Sequence, residues 1–276
     1  MPCSYNEGGY QITNVTQCHP LLNVEANFLV LTLENKADWI SRFRKISLFD
    51  GLSAEDLSGI AANFHEASYE KETVIFYERD LPDDTGSKIY FVLKGCVKLV
   101  KYSNDGESTI MRLSSVGEFF GATGALTDKP MPYSAEALTE VTVMYIEKRN
   151  FLRVVESFPQ VALGMLTALG ELLWFNYETH NQVVKKTDTR VSKILLYHYK
   201  RDGHVDTPEG KLLKINLPHD YIASMTGIAY EESVRIISRL KKNHDCIHYL
   251  RGGKIVITNI DKLTEIAQAE ETVSFF

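Results

Sequence analysis

The segment LPHDYIASMTGIAYEESVRIISRLKK, residues 217–242, constrains the fold of this chain more than any other. Ile222, Ala223 and Met225 form one inward set at helical spacing. Ser233, Ile236, Ile237 and Leu240 form a second, so the spacing predicts helices over 218–226 and 230–243. Pro218 suits a helix start, where its missing N–H is harmless, and Asp220 suits the positive end of the helix dipole. Gly227 stands where a tight interhelical turn wants positive φ or a small side chain, and Ile228 would plug the two helices together. KLLKINL before this segment reads as a strand. Residues 247–250 and 254–258 after it read as two short strands joined at Gly252-Gly253. Two helices on a short turn, closed by a hairpin, make a winged helix-turn-helix.

Such a unit has a chemistry if its second helix lies in a DNA major groove. Glu231, Arg235 and Arg239 share a face at i, i+4 spacing. A carboxylate there accepts from cytosine N4, and a guanidinium bridges guanine O6 and N7. Lys241, Lys242, Arg251 and Lys254 would reach phosphates, which position a protein on the duplex without reading sequence. Taken alone, Glu231 and Arg235 are a solvated ion pair; the turn, first helix and hairpin around them favour DNA reading. The charge distribution agrees. Residues 1–189 carry 17 Lys and Arg against 25 Asp and Glu, net −8, whereas residues 190–276 carry 13 against 11, net +2.

The rest of the chain reads as a sensor and a linker. Residues 1–37 are polar and irregular, an N-terminal arm. Trp39, Ile40, Phe43 and Ile46 recur at helical spacing. Ser53 and Asp56 form a capping box for a helix whose apolar face is Leu57, Ile60, Ala61 and Phe64. From 68 to about 148 the stretches TVIFY, KIYFVL, CVKLVKY, TIMRLS and VTVMYI are β-rich. Turn signals at Asp83-Asp84, Lys94-Gly95, Asp105-Gly106 and Val116-Gly117 separate them, predicting an antiparallel barrel or roll. After Pro159 a long helix begins, with Val161, Met165, Ala168, Leu172, Phe175 and Thr179 on one face. It is apolar nearly all round, which fits a single core helix or a dimer helix with one side on the roll and the other on a second copy; its length and position between two compact segments favour the dimer helix. Another amphipathic helix starts at Val191, with Ile194, Leu195 and Tyr199, and 201–210 reads as loop. The expected organisation is α+β: arm 1–37, roll 38–156, dimerisation helix 157–187 and winged helix 188–276.

Other classes find little support. The motifs GxSxG and HExxH and the Walker and Rossmann signatures are absent from the sequence, which argues against an enzyme. Cys3, Cys18, Cys96 and Cys246 are scattered without metal-ligand spacing and read as thiols, with a redox role open for the first three. No apolar stretch approaches the ~20 residues of a membrane span, and the N-terminus lacks a basic region followed by an apolar one. The expected location is the cytoplasm.

ISLFDGLSAEDL, IYFVLKGCVKLVKY, VGEFFG and the helix-turn-helix with Glu231 and Arg235, in this order, resemble the cyclic-AMP receptor protein / fumarate–nitrate regulator (CRP/FNR) superfamily over about 38–263. The resemblance implies a cyclic-nucleotide-binding-like antiparallel roll and a long dimerisation helix. It implies a homodimer on a palindromic DNA site that regulates RNA polymerase, usually as an activator. Glu231 and Arg235 fall on the family's base-reading positions. Tyr230 stands where some members place Arg or Val, and Ala229 replaces the usual Ser or Thr cap. Ser233 and Val234 depart from the usual order of an apolar residue followed by a small one.

In the roll the departure is larger. Cyclic-nucleotide binders of the family carry Gly-Glu for the ribose and Arg-Ser for the phosphate. In FFGATGALTDKPMPYSAEA, Gly121 and Ser134 remain, but Ala122 and Tyr133 replace the Glu and Arg. The resemblance therefore implies no cyclic-nucleotide binding. The candidate effector residues are Phe119, Phe120, Gly121, Ala122, Thr123, Met131, Tyr133 and Ser134. They suit an apolar or aromatic ligand or a haem, or simply fill the roll. For haem, His19, His65 and His180 are the axial candidates, and Pro2 with Cys3 resembles the N-terminal ligation of a carbon-monoxide-sensing relative. The effector stays open, as do a haem- or thiol-based sensor and a constitutive DNA-binding protein with a structural barrel.

Overall fold

A computed structural model describes residues 36–81, 87–103, 108–180 and 186–268. Pro2, Cys3, Cys18, His19 and the Asp83-Asp84 and Asp105-Gly106 turns lie outside the described residues, as do the side chains of Thr179 and His180.

Helix α1 (Lys36–Phe43) leads through a 3-10 turn (Ser47–Phe49) to α2 (Ala54–Ile60). The capping box forms: the Asp56 N–H donates to Ser53 Oγ at 3.1 Å, and the Ser53 N–H donates to Asp56 Oδ2 at 3.0 Å. Phe64 does not belong to this helix. A 3-10 turn (Ala61–Asn63) closes it, and Phe64 opens the first strand, turned into the same core.

Eight strands form the roll: β1 (Phe64–Tyr69), β2 (Val74–Phe76), β3 (Lys88–Lys94), β4 (Val97–Tyr102), β5 (Ser108–Ser114), β6 (Phe119–Phe120), β7 (Ser134–Ala137) and β8 (Val141–Glu147). They pair antiparallel in two sheets of order β1-β8-β3-β6 and β2-β7-β4-β5. The continuous apolar run of β3 follows from burial on both faces. Ile89, Phe91 and Leu93 face the helices, while Tyr90 and Val92 face the space between the sheets. Several elements of the roll were not foreseen, strands β1 and β6 among them. Helix α3 (Ala122–Thr127) follows β6, and β7 is built from SAEA, a weak strand former held by partners on both sides.

Helices α4 (Lys148–Ser157) and α5 (Pro159–His180) follow. Val161, Met165 and Phe175 are buried on the expected face of α5, with Ala168 and Leu172 half-buried beside them. Leu163, Leu166, Leu173, Trp174 and Tyr177 on the other side are exposed. No single helix among the described residues is long and apolar enough to cross a membrane.

The C-terminal unit comprises α6 (Thr187–Arg201), β9 (His204–Thr207), β10 (Gly210–Leu213), α7 (His219–Thr226), α8 (Tyr230–Lys242), β11 (Ile247–Leu250), β12 (Lys254–Ile257) and α9 (Ile260–Gln268). The expected loop 201–210 is partly a strand. β9 and β10 form a hairpin, clasped by the Lys211–Asp206 ion pair at 2.8 Å, that extends the wing sheet to β11-β12-β10-β9. A β-carbon at Gly210 would stand 2.4 Å from the Ile257 carbonyl oxygen, so this strand junction requires glycine. The strand expected over KLLKINL stops at Leu213, and α9, packed on α6, was not foreseen.

The two halves share one core. Cys96, Val100, Ile110 and Leu113 from the outer face of the second roll sheet join Phe175 and the interior of the C-terminal unit, and α7 packs on β5. Cys96 is 5% exposed and burial pushes its thiol far up, which removes it from the redox candidates.

A polar knot lies in the same junction. His198, fully buried, bonds through Nδ1 to Asp202 and through Nε2 to the Tyr221 hydroxyl, both at 2.7 Å. The Ser115 hydroxyl from the roll donates to Asp202, and Arg201 spans Asp202 at 3.0 Å and Glu118 at 3.3 Å. Burial depresses the His198 imidazole, outweighing the carboxylate beside it. Burial alone would raise Asp202, but the His198 hydrogen bond and the Arg201 charge hold it below the usual carboxylate range. Both groups bind more protons in the unfolded chain, so stability rises with pH through their titrations. The His198 share is present above the ordinary imidazole value of about 6.5 and declines as pH falls below it. The Asp202 share is lost at lower pH, below the ordinary carboxylate range. The thermal unfolding midpoint is expected to fall between pH 7 and pH 5, and His198→Asn to flatten that fall. An unchanged slope in the variant would take His198 out of the account.

Candidate nucleic-acid interface and sensor core

Helix α7 ends at Gly227, which takes φ 63°, ψ 41°, the left-handed conformation expected there. The Ile228 N–H returns to the Ala223 carbonyl at 3.1 Å and closes the turn. Ala229 then starts α8 with no side-chain cap. The first turn is held otherwise: the Ser233 hydroxyl is within donating distance of the Tyr230 and His219 carbonyls, at 2.8 and 3.2 Å. Ser233 is therefore an inward residue with a task, tying α8 to the start of α7.

Ser233, Ile236, Ile237 and Leu240 are buried, as their spacing predicts. The opposite face is free: Glu231, Val234 and Arg235 are exposed, and Tyr230 is 54% exposed at the helix start. Glu231 and Glu232 lie in the first turn and Arg239, Lys241 and Lys242 in the last, the arrangement the helix dipole favours. The ion pairing differs from the sequence reading. Arg235 Nη1 pairs with Glu232 at 3.1 Å rather than with Glu231. Arg239 is drawn to Asp188 of α6 at 2.9 Å and is thus partly committed inside the protein. Arg235 has no comparable tie; its side chain is 74% exposed and can leave Glu232 for a base edge. Lys241, Lys242, Arg251 and Lys254 are all exposed, the last two in the β11–β12 hairpin.

An aromatic brace escaped the sequence reading. His219 stacks on Tyr249 of the wing, 4.3 Å between ring centroids, and meets Tyr230 edge-on at 5.9 Å. The Tyr249 hydroxyl donates to the Leu217 carbonyl at 3.2 Å. Burial lowers the His219 imidazole against the pull of Asp220, so it stacks as a neutral ring. The wing, α7 and α8 are thereby fixed to one another. The isolated His and Tyr residues carried no periodic signal for this.

In the roll the candidate effector residues divide. Phe120, Met131 and Tyr133 join Phe76, Tyr90 and Tyr145 between the sheets. Phe120 stacks on Tyr90 at 5.0 Å, and the two residues are strand partners. Phe119, one residue earlier, points the other way into the helix-side core, and Ala122 lies there too. Thr123 is exposed. The Tyr133 hydroxyl accepts from the Gly121 N–H at 3.3 Å, and Ser134 Oγ accepts from the Glu78 N–H at 2.9 Å. Side chains of the chain itself thus occupy the interior around Tyr133. Of the haem candidates, His65 is exposed on β1 beside Tyr145. Among the described residues no group of three or more His, Cys, Asp or Glu could hold a metal ion.

Comparison with known proteins agrees with both halves. The cyclic nucleotide-binding domain profile matches residues 66–158, and the Crp-like helix-turn-helix domain profile matches residues 189–266. The chain is 25% identical to the cyclic AMP receptor protein of Thermus thermophilus over 221 residues, 80% of this chain and 96% of that one. It is 30% identical to the probable transcriptional regulator flp of Lacticaseibacillus casei over 122 residues, 44% of this chain and about half, 53%, of that protein. The fold is similar to FixK2 from Bradyrhizobium japonicum, with TM-score 0.60 at 21% identity over 74% of this chain and 96% of that one. A CooA mutant from Carboxydothermus hydrogenoformans gives TM-score 0.59 at 20% identity, over 76% and 90%. With an antiparallel roll, a long connecting helix and a winged helix-turn-helix in this order, the chain belongs to the CRP/FNR family of DNA-binding transcription regulators.

Proposed function

We propose that the chain acts as a homodimer that reads a palindromic DNA site with α8 and regulates RNA polymerase, most often as an activator, under a small effector other than cyclic AMP. The division into arm 1–37, roll 38–156, dimerisation helix 157–187 and winged helix 188–276 belongs to this proposal. The observation that carries it is the free face of α8, with Glu231 and Arg235 one turn apart and held on a braced unit. Base edges are read from the N-terminal part of such a helix, and two-fold symmetry places two of them one DNA turn apart. Tyr230 and Arg239 flank the pair, and Lys241, Lys242, Arg251 and Lys254 supply phosphate contacts. Selection of duplexes from a random pool tests it: recovery of an inverted repeat is expected, and recovery of no preferred sequence would overturn it.

For the effector, the chemistry of the roll speaks against a cyclic phosphate. Tyr133 stands where the phosphate's cation is needed, and its hydroxyl is engaged by the Gly121 N–H. Ser134 is engaged by Glu78, and the neighbouring Glu136 is an acid, 6% exposed, already paired with Lys98 at 2.7 Å. Calorimetric titration of the full chain with cyclic AMP is expected to give no saturable heat. Tight binding would return the roll to the nucleotide-sensing group.

A further inference from the structure

A cavity of about 280 Å³ lies where the roll, α5 and the C-terminal unit meet. Its walls come from Lys45 to Leu48 before α2, from Arg112 and the 115–119 segment of the roll, from Ala168, Glu171 and Leu172 of α5, and from Tyr197, Arg201 and Asp202 at the end of α6. It is on the Phe119 side of the roll, away from the aromatic interior around Tyr133.

The charges on its walls sum to zero, Lys45, Arg112 and Arg201 against Glu118, Glu171 and Asp202, but they are not evenly paired. Arg201 is consumed by Glu118 and Asp202. Arg112 donates through Nη2 to the Phe119 carbonyl at 2.5 Å and to Ser114 Oγ at 2.8 Å, both neutral acceptors. Its Nε is buried and has no hydrogen-bond partner. Among the described residues neither Arg112 nor Lys45 has a carboxylate within ion-pair distance, and only Glu171 of the other wall remains unpaired against them. A guanidinium with no carboxylate partner, on the wall of the same cavity as an ammonium, suits a carboxylate. The remaining wall mixes Ser47, Ser115 and Tyr197 with an apolar group: Leu48 and Phe119 are buried, Leu172 is half-buried, and Val116 stands 49% exposed. The volume lies below the about 300–1,000 Å³ of drug-sized sites, so the occupant is a small metabolite.

We propose that this cavity binds a small carboxylic acid with a short apolar stem, its carboxylate on Arg112 and its stem against Leu48, Phe119 and Leu172. The binding claim stands on the cavity alone. Its consequence rests on the DNA reading above. Tyr197 and Arg201 belong to the wall only while the C-terminal unit is docked on the roll, so the ligand favours that arrangement over any other.

The test uses the full chain and 4-methylvalerate, with 4-methylpentanol as a neutral probe of similar shape. Calorimetry is expected to show saturable binding of the acid and about tenfold or weaker binding of the alcohol, the factor for a lost charge-assisted contact. Arg112→Gln is expected to weaken the acid by a similar factor. Val116→Trp, which leaves Arg112 in place and fills the cavity, is expected to abolish binding. No saturable binding to the natural chain, equal binding of the alcohol, or undiminished binding to both variants would overturn the proposal. A change in affinity for a selected duplex on adding the acid is expected as well. If binding holds and that change is missing, the coupling falls and the site stands. If the chain selects no duplex, the DNA reading falls while the titration still decides the site.

Discussion

An Arg235→Ala chain loses its preference for the cognate palindrome while keeping its oligomeric state and its thermal midpoint. The two halves of that expectation come from different parts of the structure. The Arg235 side chain is 74% exposed and its partner is Glu232, so folding loses one surface ion pair, about 0–1 kcal/mol. Binding loses far more. One bidentate arginine contact discriminates by about 1–3 kcal/mol, and a symmetric dimer makes it twice. The expected loss on the selected duplex is between about 30-fold and about 10⁴-fold at fixed salt. Arg235→Lys is expected to keep much of the non-specific affinity and lose part of the selectivity, because a flexible ammonium lacks the planar fork that fixes a bridge to guanine O6 and N7. Fluorescence anisotropy on the selected and a scrambled duplex, with light scattering for oligomeric state, checks both halves. Selectivity surviving in the alanine variant would remove α8 as the base reader.

The helix-turn-helix was legible because its code is local. Gly227 marks a turn that only a few residues allow, and the 3.6-residue period on either side sorts inward from outward positions. The roll was legible for the same reason, through β-branched and aromatic runs between turn residues. What stayed hidden depends on partners distant in sequence. SAEA becomes a strand only because β2 and β4 flank it. Phe119 and Phe120 read alike as neighbours in an aromatic loop, yet strand geometry sends one to the helix-side core and the other between the sheets. Arg239 shares a helical face with Arg235, but Asp188, 51 positions upstream, claims part of its charge. The joint core of Cys96, Val100, Ile110 and Leu113 with the C-terminal unit is likewise invisible, since a strand's outer face carries no label for what covers it.

Leu166→Glu combined with Leu173→Glu is expected to convert the proposed dimer to a folded monomer and to remove tight binding to the palindrome. Leu163, Leu166, Leu173 and Tyr177 repeat at three, seven and four residues along α5, a spacing that keeps them on one stripe, with Trp174 at its edge. They are between 53% and 69% exposed, a contiguous apolar patch of the kind that marks a protein interface. The opposite stripe, Val161, Met165 and Phe175, is already spent on the chain's own core, so the free stripe needs an occupant from outside. A second α5 related by a two-fold axis fits, because the same stripe is then self-complementary and near-heptad spacing aligns it along the seam. Two glutamates per helix put four carboxylates into that seam with no cation among its exposed residues to receive them. The fold itself is expected to persist, as the leucines touch little within the chain. Leu152→Glu, an exposed leucine on α4, serves as the matched control and should leave the dimer whole. Light scattering reads the mass, circular dichroism the fold, and anisotropy the DNA. A monomer is left with one half-site, so affinity for the palindrome should fall toward that of a single half-site. A double variant that stays dimeric would show that α5 is not the seam, and the paired reading of a palindrome through two α8 helices would lose its geometric basis.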